Sequence, residues 1–105
     1  MWTKEDIKNK VSENPILVFG KGTKEQPMCG FTARAIQVLM ASGKPFEVIN
    51  IFDDPSIRPA LVEFSEWPTT PQVFVAGEFI GGSDVVMEMY ENGQLQPKLD
   101  SAVPS

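Results

Sequence analysis

ILVFGKGTKEQPMCGFTARAIQVLMASGKPFEVINI, residues 16–51, holds two strand signals with a helix signal between them, and the fold is read outward from it. Ile16-Leu17-Val18-Phe19 is a short unbroken apolar run, the pattern of a buried parallel strand. Lys21 to Met28 is a polar loop containing Gly22 and Pro27. From Gly30 the apolar residues Phe31, Ala35, Ile36, Val38 and Leu39 recur at helical spacing, and Gly43 closes that helix as a C′ residue. Phe46 to Ile51 reads as the second strand. Two strands joined by a helix form a right-handed βαβ unit.

The flanks extend the same alternation. Thr3 caps a first helix over Lys4–Glu13 with Asp6 at the capping-box position, and Asn14-Pro15 ends it. Asp54 followed by Pro55 opens a helix that runs to Ser65. Gln72-Val73-Phe74-Val75 and Glu78-Phe79-Ile80 flank Ala76-Gly77, a tight hairpin. A helix begins at Ser83 or Asp84, and Gly93 interrupts it before Leu95–Ala102. The order α-β-α-β-α-β-β-α-α predicts a three-layer α/β/α domain, a four-stranded mixed sheet flanked by helices. No repeat or linker divides the chain, so residues 1–105 are expected to form one domain.

Composition narrows the function. The net charge is −5, with nine Lys and Arg scattered singly, and nothing resembles the basic stripe that a phosphate backbone demands. Nucleic acid is not an expected partner. No apolar run approaches the ~20 residues that cross a bilayer, and the first residues lack the apolar core of a signal peptide. A membrane role is therefore not expected, and the expected address is the cytoplasm, or an organelle interior after removal of a transit peptide. There is no histidine, which removes the Cys–His dyad and most zinc sites. The one cysteine cannot close a disulfide within the chain.

Four features remain that carry chemistry. Cys29 follows a loop and directly precedes a helix, where unpaired N–H groups and the helix dipole favour a thiolate; Lys21, after the first strand, adds its charge. Pro71, in Trp67-Pro68-Thr69-Thr70-Pro71, opens a strand either as an edge feature or through a cis bond. Gly81-Gly82-Ser83-Asp84 leads into a helix start whose amides suit an anion, while Asp84 suits an ammonium. Arg58 lies on the third helix. Each feature has a plainer reading alone: a core cysteine, a turn, a helix-capping acid, a solvated cation.

In this order they resemble the monothiol glutaredoxins, whose usual signature is Cys-Gly-Phe-Ser. The matching pieces are Lys21-Gly22-Thr23, Pro27-Met28-Cys29-Gly30-Phe31-Thr32, Arg58, Trp67 to Gln72, Gly81 to Asp84, and Gly93-Gln94-Leu95-Gln96. The long loop before Cys29 also fits that class. The resemblance implies a thioredoxin fold with Pro71 in cis and a glutathione groove. Lys21 and Arg58 would meet the glycine-end carboxylate, the Thr70 backbone the cysteinyl part, and Gly82, Ser83 and Asp84 the γ-glutamyl end. Cys29 would be catalytic nucleophile and iron ligand, with Gly30, Phe31, Thr32 and Trp67 shaping the site. Three positions depart from the pattern. Thr32 replaces serine and adds a methyl group beside the cluster, Ser83 replaces a frequent cysteine, and Val62 stands where some members carry lysine, weakening carboxylate binding.

The resemblance further implies a carrier of a glutathione-ligated 2Fe-2S cluster. Such a cluster needs four ligands, and two chains with two glutathiones supply four thiolates as a homodimer. Its expected role is cluster transfer and iron and redox homeostasis, with a BolA-type protein and apo iron-sulfur proteins as possible partners. The alternative is an enzyme, a glutathione-dependent thiol-disulfide oxidoreductase working through Cys29 alone. A weaker third reading is an interaction module whose groove holds a partner's extended segment.

Overall fold

The computed structural model describes residues 1–104. Ile16–Gly20 forms β1, and all five of its residues are buried. A strand so apolar needs cover on both faces and pairing on both edges. β1 pairs in parallel with β2 (Glu47–Asn50) and antiparallel with β3 (Gln72–Val75). β4 (Glu78–Gly81) pairs with β3 to give the order β2-β1-β3-β4. The mixed sheet expected from the sequence is present, with its most apolar strand inside it.

Alternation along β1 divides the core. Ile16 and Val18 join Val73 and Val75 beneath α2 (Gly30–Ser42), α4 (Ser83–Glu91) and α5 (Leu95–Ala102), which contribute Ala35, Leu39, Val86, Leu95 and Leu99. Leu17 and Phe19 face α1 (Lys4–Glu13) and α3 (Ile57–Ser65), which contribute Ile7, Val11, Ile57 and Leu61. On this second face Phe74 meets Phe19 edge-on, centroids 5.9 Å apart at 84°, and leans against Phe64 and Phe79. Each such fully buried side chain stabilises the fold by about 1.5–3 kcal/mol.

The terminators act as their chemistry predicts. The Thr3 hydroxyl accepts from Asp6 N, and the Asp6 carboxylate accepts from Thr3 N at 2.8 Å, a complete capping box. Gly43 ends α2 in the left-handed region at φ 78°. Ala76 and Gly77 turn the β3–β4 hairpin with φ of 52° and 82°, the paired positive values of a type I′ turn. The third helix differs from expectation. Asp54 does cap the chain there, accepting from Ser56 N at 2.8 Å, but Ile57 N donates to Asp54 O, three residues back. The entry is thus a tight turn through Pro55 and Ser56, and the α-helix proper begins at Ile57.

Because β3 runs against both neighbours, the end of β1, the start of β3 and the end of β4 meet at one end of the sheet. The candidate residues fall there.

Candidate functional site

Loop 21–28 brings Lys21 and Cys29 together. Met28 N donates to Lys21 O at 2.8 Å and Thr23 N to Gln26 O at 3.1 Å, so the loop folds back on itself. Gly22 makes this possible. It sits at φ 97°, and a Cβ there would lie 2.5 Å from both Gln26 O and Met28 N. The Asn50 carboxamide oxygen accepts from Gly22 N and Phe52 N, both at 3.0 Å, pinning the loop to the end of β2. Lys24 donates to Phe46 O and lies 4.3 Å above the Phe46 ring.

Cys29 is the N-cap of α2, extended at φ −150° and ψ 135°, and half-buried. The Thr32 N–H, turned toward the sulfur at the first turn of the helix, holds the thiol below its ordinary pKa; burial opposes this, and the Phe31 N–H, the Lys21 charge and the Thr32 hydroxyl assist. Thr32 is fully buried, and its Oγ1 also accepts from Lys21 N at 3.2 Å. Its methyl packs inward against the sheet. A Cβ on Gly20 would lie 2.6 Å from Thr32 Cγ2, so the methyl packs into the space that Gly20 leaves at the end of β1.

The sign of the pH effect follows. A thiol with a lowered folded pKa adds stability that is present above the unfolded pKa and fades as the pH falls through the folded one. Thr32→Val removes one donor to the sulfur and the acceptor for Lys21 N. Its Cys29 is expected to titrate higher, so alkylation by iodoacetamide at pH 7 slows and the midpoint of the rate–pH profile moves up. The orphaned N–H should lower stability by about 1–3 kcal/mol. An unmoved profile would remove the hydroxyl from this role.

Beside Cys29 opens a groove of about 530 Å³, within the usual range of small-ligand sites. One wall is Trp67, Thr69, Thr70 and Pro71, and the Thr70–Pro71 peptide is cis, as the resemblance implied. The other is the start of α4, Gly82, Ser83 and Asp84. Gly82 brings the walls close, since a Cβ there would lie 3.3 Å from Pro71 O. Lys21, Arg58 and Phe31 complete the lining. The ion pairs among the described residues are Lys10–Glu13, Lys44–Asp100 and Lys98–Glu78, so Lys21, Arg58 and Asp84 keep their charges for the groove.

Ten of the twelve residues named from sequence thus line one cavity. Gly30 is the exposed first residue of α2, and Thr32 lies beneath the sulfur. Val62, on α3 with Arg58, is not part of the lining. Thr69 and Val85 line the groove without having been named. Val85 stands out in sequence only as an apolar residue following the α4 cap, a weak signal. A larger, shallower depression of about 1150 Å³ lies between α1 and α3, lined by Trp2, Pro55, Pro59 and Phe64 among others. It has no cysteine in its lining, and the smaller groove, which holds Cys29, is the candidate site.

A cysteine capping a helix opposite a cis proline, in this α/β/α arrangement, defines the thioredoxin-fold class. Within it, the Glutaredoxin family profile matches residues 16–80. The chain is 48% identical over 103 residues to an uncharacterized monothiol glutaredoxin, ycf64-like, of Synechocystis, spanning 98% of this chain and 96% of that one. It superposes on the crystal structure of a buckwheat glutaredoxin–glutathione complex with TM-score 0.84 and 29% identity, covering 94% of this chain and 88% of that one. The holo form of poplar glutaredoxin C1 gives TM-score 0.86 at 28% identity, over 97% and 90%. The chain belongs to the glutaredoxin family, and with its one cysteine it is a monothiol member.

Proposed function

We propose that the 105-residue chain acts as one domain that binds glutathione beside Cys29 and, as a homodimer, carries a 2Fe-2S cluster for transfer to apo iron-sulfur proteins. The observation that carries the reading is the charge pattern: two cations and one carboxylate with no ion-pair partner among the described residues line the groove that holds the only thiol. Glutathione has two carboxylates and one ammonium. Lys21 and Arg58 suit its glycine-end carboxylate, the α4 start suits its γ-glutamyl carboxylate, and Asp84 its ammonium. The Thr70 backbone, outside the β3 ladder, suits its peptide portion. The buckwheat complex shows that a related protein of this fold holds glutathione.

The donor set fits a cluster only in part. Among the described residues no group of three or more His, Cys, Asp or Glu is placed to hold a metal, and the chain offers one thiolate. Two chains and two glutathiones complete four. A cluster held half by exchangeable ligands is cargo, suited to handover within iron and redox homeostasis, with a BolA-type protein as a candidate partner. No described helix is long and apolar enough to cross a membrane, and the proposed place of work is the cytoplasm or an organelle interior.

A second reading rests on the accessible, acidified sulfur. The Cys29 thiolate attacks the glutathione sulfur of a protein mixed disulfide, expelling the protein thiolate. A second glutathione thiolate then attacks the Cys29-bound glutathione sulfur, releasing glutathione disulfide and restoring the Cys29 thiolate. Anaerobic reconstitution with iron and sulfide separates the two. Visible cluster absorbance that requires glutathione supports the carrier; its absence, with rapid turnover of a small glutathione mixed disulfide, supports the reductase.

Lys21→Ala tests the groove itself. A charge-assisted contact is worth about 1.5–3 kcal/mol, so glutathione affinity should fall roughly 10- to 100-fold. Lys21 makes no ion pair among the described residues, and the melting temperature should barely move. Unchanged affinity with a large loss of stability would assign Lys21 to the fold.

A further inference from the structure

Gln72 opens β3 opposite Phe19 and is fully buried, the first residue of a strand that continues Val73-Phe74-Val75. A glutamine in that position is costly, because its carboxamide oxygen has no hydrogen-bond partner among the described residues. Its Nε2 is fully used. It donates to Trp67 O at 3.0 Å and to Thr69 O at 3.1 Å. Both carbonyls belong to the segment that forms one wall of the groove, with Trp67 and Thr69 in the lining. The segment's other side-chain hydrogen bonds are local: Trp67 N donates to Ser65 Oγ at 3.2 Å, and Ser65 Oγ lies 3.5 Å from Trp67 O as a long donor to it. A buried amide whose donors are both committed to the wall and whose acceptor is left orphaned is retained for its donors.

We propose that Gln72 is a positioning residue that clamps residues 67–69 to the sheet and so presents the Thr70 backbone to an extended γ-glutamyl peptide bound beside Cys29. The proposal rests on the glutathione reading of the groove. An apolar residue of the same length leaves the Thr69 carbonyl unheld and the Trp67 carbonyl with only the long, local Ser65 bond, and the wall then samples positions in which Thr70 no longer faces the ligand. Gln72 touches neither sulfur nor ligand, so its loss should weaken binding while the Cys29 rate–pH profile stays put.

The test is titration of ¹⁵N-labelled protein with reduced glutathione, comparing wild type, Gln72→Met and Val75→Ala. Val75 is a buried β3 residue at the strand's other end, so its truncation reports the cost of destabilising the strand alone. Gln72→Met should bind roughly 10-fold or more weakly, with apo-state amide shifts concentrated at Trp67, Thr69 and Thr70, while Val75→Ala binds within about twofold of wild type. Equal affinity of Gln72→Met and wild type, or an equal loss in Val75→Ala, overturns the proposal. If wild type itself binds no glutathione, the groove reading fails, and the apo shifts still decide: undisturbed signals at 67–70 overturn the clamp. Should Gln72→Met not fold, couplings across the hydrogen bonds from the Gln72 side chain to the Trp67 and Thr69 carbonyls are measured in wild type. Their presence supports the clamp and their absence overturns it.

Discussion

Replacing Cys29 by serine is expected to leave the fold standing and to abolish both cluster binding and thiol transfer. Cys29 is the chain's only thiol and there is no histidine, so no neighbouring group can take over as ligand or nucleophile. A serine hydroxyl stays protonated at neutral pH even where the Thr32 and Phe31 amides acidify a thiol. Stability should move the other way. The Thr32 and Phe31 N–H groups face the sulfur without closing a full side-chain cap bond at the start of α2, whereas serine is among the best N-caps, worth about 0.5–2 kcal/mol over a residue that does not cap. The variant should therefore melt at the same temperature as wild type or a few degrees higher, while reconstitution gives colourless protein and mixed-disulfide turnover vanishes. Cluster absorbance surviving in Cys29→Ser would sink the ligand assignment. Loss of cooperative unfolding would make Cys29 a structural residue.

The sequence was most legible where one residue's local chemistry decides the outcome. The Thr3–Asp6 box, the Gly43 stop and the Ala76-Gly77 turn depend on contacts within a few positions, and each formed as read. β1 was legible because an unbroken apolar run has few other uses. The site was legible through motif order, which gathered Lys21, Cys29, Arg58, Thr70 and Asp84 from five separate segments into one groove. Most of what escaped depends on neighbours distant in sequence. The Thr32 methyl was read only against a cluster, and it is the approach of Gly20 to Thr32 across the β1–α2 junction that shows the space it fills. Gln72 reads as a polar strand residue until its two bonds to the 67–69 segment are in view. The start of α3 shifted because a proline after an aspartate serves a tight turn as readily as a first helical turn.

Assembly is expected to follow the cluster: the apo chain should run as a monomer and the reconstituted protein as a homodimer of twice the mass. The thiolate count sets the stoichiometry, since one cysteine per chain cannot complete four sulfur ligands even with one glutathione. Association without the cluster has little behind it. Each chain carries a net charge of −5, and although salt screens that repulsion over ~8 Å at physiological ionic strength, nothing in the charge attracts. Met28, Phe31, Trp67 and Val85 are exposed around Cys29 and the groove mouth. Four side chains form a rim well short of the roughly 800 Å² per partner that stable interfaces bury. They can exclude water from a shared cluster without holding two bare chains together. Chelating the iron, or diluting out glutathione, should therefore return the dimer to monomer, and light scattering before and after chelation reads the change directly. Phe31→Ser, which removes apolar rim while leaving Cys29 in place, should shorten the lifetime of the holo dimer and leave the apo mass unchanged. A dimer already present in the apo protein and unaffected by chelation would mean that protein contacts, not shared ligands, hold the two chains together.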